Sequence, residues 1–155
     1  MAVGANAKMN EFAAAMGLCN LRHFDEEIAK RRSVVERYRE HMENIAGLQL
    51  NVVQQDVEQN YAYFPVVVEP KVFGTTRNEI MDALAEQGIM ARKYFYPLTS
   101  SFECFHGQFD VDATPVARYV ANRVMTLPLY ADLPFEAVDR ICSIILGCRK
   151  GSSWI

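Results

Sequence analysis

From Asn10 to about Asn44, apolar residues return at three- and four-residue steps: Phe24, Ile28, Val35, Tyr38, Met42 and Ile45, with Arg31 filling one gap. That spacing gathers them on one face of a long helix, and Glu26, Glu27, Lys30, Arg32, Glu36 and Arg39 take the wet face. A stripe of this length has to be laid on another layer, which the rest of the chain must supply. Asn10 is placed to cap the helix, and Glu11 sits in its first turn, where negative charge meets the positive end of the helix dipole. A bend or break is expected near Phe24 and Asp25, with Asp25 as the candidate cap of a second segment. Gly47 is the expected stop. The early stretch differs. Phe12 to Leu21 is apolar on more than one side, and Ala13, Ala14, Ala15 and Gly17 permit close approach of another backbone. It is expected to be buried against something else.

The remainder mixes short strands and helices. Leu48 to Val53 alternates apolar and polar side chains. Tyr61 to Val68 is aromatic and β-branched and reads as a core strand. Pro65 cannot donate to a ladder, which argues for an edge position or a bulge there. Thr76-Arg77-Asn78-Glu79 has capping-box spacing ahead of a helix that carries Ile80 and Leu84 inward and stops at Gly88. Ile89 to Tyr94 is expected to be a further strand. Tyr96 to Ala113 reads as an irregular loop packed through its phenylalanines. Thr114-Pro115 opens a helix, Val124 to Leu129 forms a short strand, and the last helix turns Val138, Ile141, Cys142 and Ile145 inward. The expected fold class is α+β: a long N-terminal helix, then a small, mostly antiparallel sheet with helices packed on one face.

A net charge of -3 on 155 residues offers nothing to attract nucleic acid or an anionic membrane in bulk. The four cysteines form no CxxC pair, and the three histidines are not spaced with them as ligands, so neither a disulfide framework nor a metal site is expected. No basic region followed by an apolar core opens the chain, and no apolar run approaches membrane-spanning length. These features point to the cytoplasm.

Gly4-Ala5-Asn6 feeding a long helix with no strand before it is the pattern of the middle of a larger protein. The stretch Gly4 to Leu18 resembles the segment opening the C-terminal half of the DegT/DnrJ-type sugar aminotransferases, which are pyridoxal phosphate (PLP) enzymes of the aspartate-aminotransferase fold. Gly17-Leu18-Cys19-Asn20-Leu21, Asn60-Tyr61-Ala62-Tyr63-Phe64-Pro65, Gly88 to Leu98 and Leu127-Pro128-Leu129-Tyr130 resemble later segments of that family in the same order. The resemblance implies a C-terminal small domain over residues 1–150, with a linker helix about 10–46 and a frayed tail over 151–155. It also implies that the N-terminal domain bearing the Schiff-base lysine is absent.

The implied chemistry is transfer of an amino group from an amino acid, glutamate in this family, to a keto nucleotide-sugar, with PLP as the electron sink. The intact enzyme is implied to be a homodimer. This chain alone is expected to hold no PLP and no catalytic residue. By resemblance, Asn6 reaches the PLP phosphate of the partner subunit and Gly4 shapes the turn that carries it. Arg92, Tyr94 and Tyr96 fall on the substrate side of the cleft, where a guanidinium pairs with a carboxylate or a sugar phosphate. A common family form ends in Pro-Leu-His; here Pro97-Leu98-Thr99 lacks the imidazole, and His106 in the loop beyond is the candidate to compensate. Lys8 does not match the family's Schiff-base position and reads as a solvated or phosphate-proximal cation, and Lys93, beside the site segment, reads as a structural or substrate-contact residue rather than a covalent one. Two further readings stand beside this one: a stand-alone interaction or regulatory module that docks a partner on Phe12 to Leu21, and one half of a split aminotransferase.

Overall fold

The computed structural model describes residues 8–105 and 107–150. Two helices open it, α1 (Glu11–Leu21) and α2 (Phe24–Met42). Asn10 caps α1 as expected, its Oδ1 accepting from the Ala13 N–H at 2.8 Å. The break falls at Arg22-His23, where the amides of both residues close tight turns onto Cys19 and Asn20. His23 rather than Asp25 occupies the cap position of α2 and makes no side-chain cap bond. Asp25 lies one residue inside with Glu26 and Glu27, where all three face the positive end of the helix.

The sheet has three strands in the order β1 (Leu48–Leu50), β2 (Phe64–Val68), β3 (Val124–Leu127), all antiparallel. Leu48 faces Val68 and Leu50 faces Val66; Val66 faces Met125 and Phe64 faces Leu127. Phe64, Val66 and Val68 alternate inward, and Pro65 and Val67 turn the other way. The strand containing Pro65 is therefore central, not an edge. The register explains why proline is tolerated. Val68 donates to Arg123 on the β3 side and Glu69 to Gly47 on the β1 side, so amides two residues apart share a side and the Pro65 nitrogen points toward β1. That strand has already ended at Leu50, and no ladder bond is lost.

Past the single turn of α3 (Pro70–Phe73), helices α4 (Arg77–Glu86) and α6 (Phe135–Gly147) join α2 to cover one face of the sheet. The core joins Val34, Val35, Tyr38 and Met42 of α2, Ile80 and Leu84 of α4, and Val138, Ile141, Cys142 and Ile145 of α6 to the inward strand residues. Each large apolar side chain so buried contributes about 1.5–3 kcal/mol. Tyr38 stacks on Phe64, with ring centroids 4.9 Å apart, and its hydroxyl donates to the Pro128 carbonyl at 2.9 Å. Outside the core, Arg37 grips Asp139 through two hydrogen bonds of 2.7 and 2.8 Å. His41 reaches the same carboxylate at 2.8 Å, which ties α2 to α6. The capping box at Thr76 and Glu79 forms as the spacing predicts.

Several expectations change. Phe24 is exposed rather than part of the stripe, and Val34 takes a core place. The second helix ends at Met42, before Gly47. Gly47 instead enters β1 at φ +89°, where a Cβ would stand 2.5 Å from the Phe73 nitrogen. Leu48 to Val53 shrinks to three residues, and the strand expected from Tyr61 starts at Phe64, because Tyr61 sits at φ +48°. Ile89 to Tyr94 is not a strand but one bridge at Arg92. The loop beyond carries 3-10 turns at Thr99–Ser101, Glu103–Phe105 and Val111–Ala113, and leads into α5 (Pro115–Ala121). The α1 helix buries none of its residues within this chain: Phe12 is 85% exposed, Met16 63% and Leu21 68%. No helix among the described residues is long and apolar enough to cross a membrane.

Candidate functional site

The site grows from the outer edge of β3. In the β2–β3 ladder Met125 and Leu127 bond toward β2, which leaves the backbone groups of Val124 and Thr126 facing outward. Arg92 fills the Thr126 position as a strand would, accepting from its N–H at 2.7 Å and donating to its carbonyl at 3.0 Å. Arg77 fills the Val124 position with a side chain. Its Nη1 donates to the Val124 carbonyl at 2.8 Å and to Ala121 at 3.1 Å, and its Nε donates to Asn78 at 2.9 Å. The residue is 5% exposed, and burial pulls its pKa below the ordinary arginine value. From sequence it reads as an ordinary residue of a capping box. A signal was present: a positive charge in a helix's first turn opposes the dipole and calls for an engagement elsewhere.

With its backbone held by Thr126, Arg92 projects its side chain over a cleft of about 280 Å³ lined by Ala62, Tyr63, Met90, Tyr94 and the run from Thr126 to Leu129. The guanidinium donates to the Tyr94 hydroxyl oxygen and lies 5.6 Å from the centre of that ring. The Tyr94 contact raises the Arg92 pKa, so the charge is permanent. Tyr94 packs edge-on against Tyr63 at 5.5 Å and face-on against Phe95 at 4.9 Å. Among the described residues Arg92 has no carboxylate partner, and no acidic side chain lines the cleft. The arrangement suits an anion placed beside an aromatic surface.

The structure thus brings together Arg92 and Tyr94 of the expected substrate residues and separates Tyr96 from them. Tyr96 turns to the opposite side, where its ring lies between Arg77 at 5.3 Å and Lys93 at 5.7 Å. There it borders a second hollow with Ser101, Asp112, Arg118 and Asn122. Tyr63 and Phe95 were not anticipated. Tyr63 was legible in retrospect, since inward alternation of Phe64, Val66 and Val68 leaves the residue before Phe64 facing out. Asn6, Gly4 and His106 lie outside the described residues. Lys8 is exposed ahead of α1. His41 is engaged with Asp139.

A PLP site needs a lysine for the Schiff base and an acidic partner for the pyridine nitrogen. The cleft lining holds neither, and Lys93 borders a different hollow beside α4. The described residues of this cleft therefore do not fit the cofactor's reactive end.

Residues 1–146 match the DegT/DnrJ/EryC1/StrS aminotransferase family, and the chain belongs to it. It is 36% identical over 148 residues to dTDP-4-amino-4,6-dideoxy-D-glucose transaminase of Escherichia coli, an alignment covering 94% of this chain and 40% of that protein. It is 26% identical over 144 residues to GDP-perosamine synthase of Vibrio cholerae, with 92% and 38% covered. Among solved structures, DesI in the presence of its TDP-sugar product superimposes with a TM-score of 0.84 at 31% identity, covering 94% of this chain and 37% of that one. DesV of S. venezuelae in complex with a ketimine intermediate shares the fold, with a TM-score of 0.83 at 21% identity, and the alignment covers 93% of this chain and 38% of that one. The chain spans about 40% of the length of the curated relatives it matches.

Proposed function

We propose that this chain is the C-terminal portion of a PLP-dependent aminotransferase that moves an amino group from an amino acid, glutamate in our reading, to a keto nucleotide-sugar. The observation that carries the proposal is the 36% identity along 94% of the chain to a nucleotide-sugar transaminase. In the intact enzyme, which we read as a cytoplasmic homodimer, PLP supplies the electron sink, and its lysine comes from the portion of the fold this chain does not span. Asn6, on a turn shaped by Gly4, contacts the cofactor phosphate of the partner subunit. Arg92 and Tyr94 hold the substrate's anionic part through charge and hydrogen bonding, while Tyr96 serves from the neighbouring hollow. The exposed apolar residues of α1 support a role in which the rest of the enzyme covers them.

The test joins this chain to the remaining N-terminal portion of the similar E. coli transaminase. Formation of amino sugar from a keto nucleotide-sugar and glutamate is then followed by mass spectrometry. The joined protein is expected to turn over and this chain alone to be inert. A joined protein that folds and binds PLP but makes no amino sugar overturns the proposal, as does turnover by this chain alone.

A further inference from the structure

We propose that Arg77 is a positioning residue for the substrate side of the enzyme: its buried guanidinium fixes the ring of Tyr96 against the edge of β3 and the end of α5, a role that rests on the nucleotide-sugar reading above.

Four segments meet at this one side chain. It starts from the first turn of α4, donates to Ala121, the last residue of α5, and to Val124 of β3, and holds its Cζ 5.3 Å from the centre of the Tyr96 ring. Stability does not account for it. Among the described residues no carboxylate pairs with Arg77, and the charge stands at the positive end of its own helix. An apolar side chain of similar volume commonly does as well or better in place of a buried ion. What the guanidinium adds is direction: a planar cation locked by its hydrogen bonds attracts the face of an aromatic ring and gives it one place to lie. Tyr96 needs such a hold. It is 49% exposed, and among the described residues its hydroxyl makes no hydrogen bond and no other ring packs on it. Lys93 also faces the ring, but its ammonium rides on a flexible, partly exposed stem. The beginning of the same stretch is fastened to β3 by the Arg92 backbone at Thr126. Arg77 fastens its end, through Tyr96, at Val124. The separation between what Arg92 and Tyr96 present to a substrate is thereby set by one strand edge rather than by the turn between them.

The test has two arms. On this chain alone, with labelled tyrosine rings, Arg77→Gln is expected to move the Tyr96 ring signals in NMR and to speed hydrogen exchange at the Tyr96 amide, while the amides of Val138 and Ile141 in α6 keep their protection. In the joined enzyme of the preceding test, Arg77→Gln is expected to raise KM for the keto nucleotide-sugar roughly tenfold, because a small misplacement of a binding group costs on that order. Its kcat is expected to stay nearly unchanged; mere loss of folded enzyme would do the reverse, lowering apparent kcat and leaving KM alone. Arg77→Lys is expected to recover most of the loss, since one nitrogen, Nη1, makes both carbonyl bonds and an ammonium can replace it. Tyr96→Leu is expected to raise KM by a similar factor, and Arg77→Gln to add nothing in that background. Arg77→Met, closer in volume, replaces Arg77→Gln if the latter does not fold. Tyr96 signals that do not move, or a KM effect that keeps its full size in the Tyr96→Leu background, overturns the proposal. So do effects confined to unfolding or aggregation, which would make Arg77 a guard of the β3 edge alone. The two readings fail separately. A joined enzyme that makes no amino sugar refutes the function, and the Tyr96 signals of this chain still decide whether Arg77 holds the ring. An active one whose KM ignores Arg77→Gln refutes the positioning and not the function.

Discussion

Tyr38 connects the core to the cleft, and removing its hydroxyl isolates that connection. The ring stacks on Phe64 at the centre of the sheet, and the hydroxyl donates to the carbonyl of Pro128, which lines the cleft. Tyr38→Phe keeps the stack and deletes one bond. A net hydrogen bond contributes about 0.5–1.5 kcal/mol, and a half-buried carbonyl left without its donor adds part of its desolvation cost, so the expected loss is about 1–2 kcal/mol. Tyr38→Ala also removes a side chain with no exposed surface, and the cavity brings the loss to about 3–5 kcal/mol. Urea unfolding of this chain, followed by circular dichroism, reads both. With a slope of about 1–3 kcal/mol per molar, the phenylalanine variant shifts the midpoint by a fraction of a molar to about one molar, and the alanine variant by two to three times as much. Equal losses for the two variants would refute the reasoning, because the ring would then contribute nothing beyond its hydroxyl. An unchanged phenylalanine variant would show that the Pro128 bond is not made in solution.

Thr76→Ala removes the hydroxyl of the capping box and is expected to cost about 1 kcal/mol in the same assay; combining it with Glu79→Ala should cost less than the sum, since the two share one motif. The Asp139 carboxyl is held at about 2, below its ordinary 3.8, first by the Arg37 hydrogen bonds and then by His41. A depressed carboxylate stabilises the fold above about pH 4 and loses that contribution as pH falls through 2. The stability gap between the native chain and Asp139→Asn should therefore narrow across that window, and a constant gap would remove the carboxylate from the account. Burial pushes the Cys142 thiol up to about 12, whereas Cys19 and Cys104 are exposed. A maleimide at pH 7 should label Cys19 and Cys104 readily and Cys142 only on unfolding, as read by peptide mass mapping.

Periodicity revealed the elements whose partners are local or apolar. The inner face of α6 was legible residue by residue, because Val138, Ile141, Cys142 and Ile145 follow helical spacing and burial followed it. The capping box and the Asn10 cap were legible because their bonds close within three residues. What failed depends on partners distant in sequence. That a central strand tolerates Pro65 follows from where β1 stops, and nothing in the local sequence of Phe64 to Val68 records that. Ile89 to Tyr94 has strand composition, yet only Arg92 meets β3 before the chain turns, with the Tyr96 amide bonding back to Lys93. The motif drew Arg92, Tyr94 and Tyr96 together because they are close in sequence, whereas the turn sends Tyr96 to the other side. Arg77 and the Tyr63–Phe95 pairing needed the fold.

The two outward edges of the sheet have a consequence for how the chain associates. An open edge is a template on which strands of other molecules can grow. Here β1 offers only three residues on one side. On the other, the Val124 carbonyl is occupied by Arg77 and both Thr126 groups by Arg92. Arg77→Met would expose part of that template while removing a buried charge, so a variant of normal or greater stability should still convert to fibrillar aggregate more readily than the native chain. Self-association of the native chain has instead the apolar surface of α1 to use, and should yield discrete helical oligomers that dissociate on dilution.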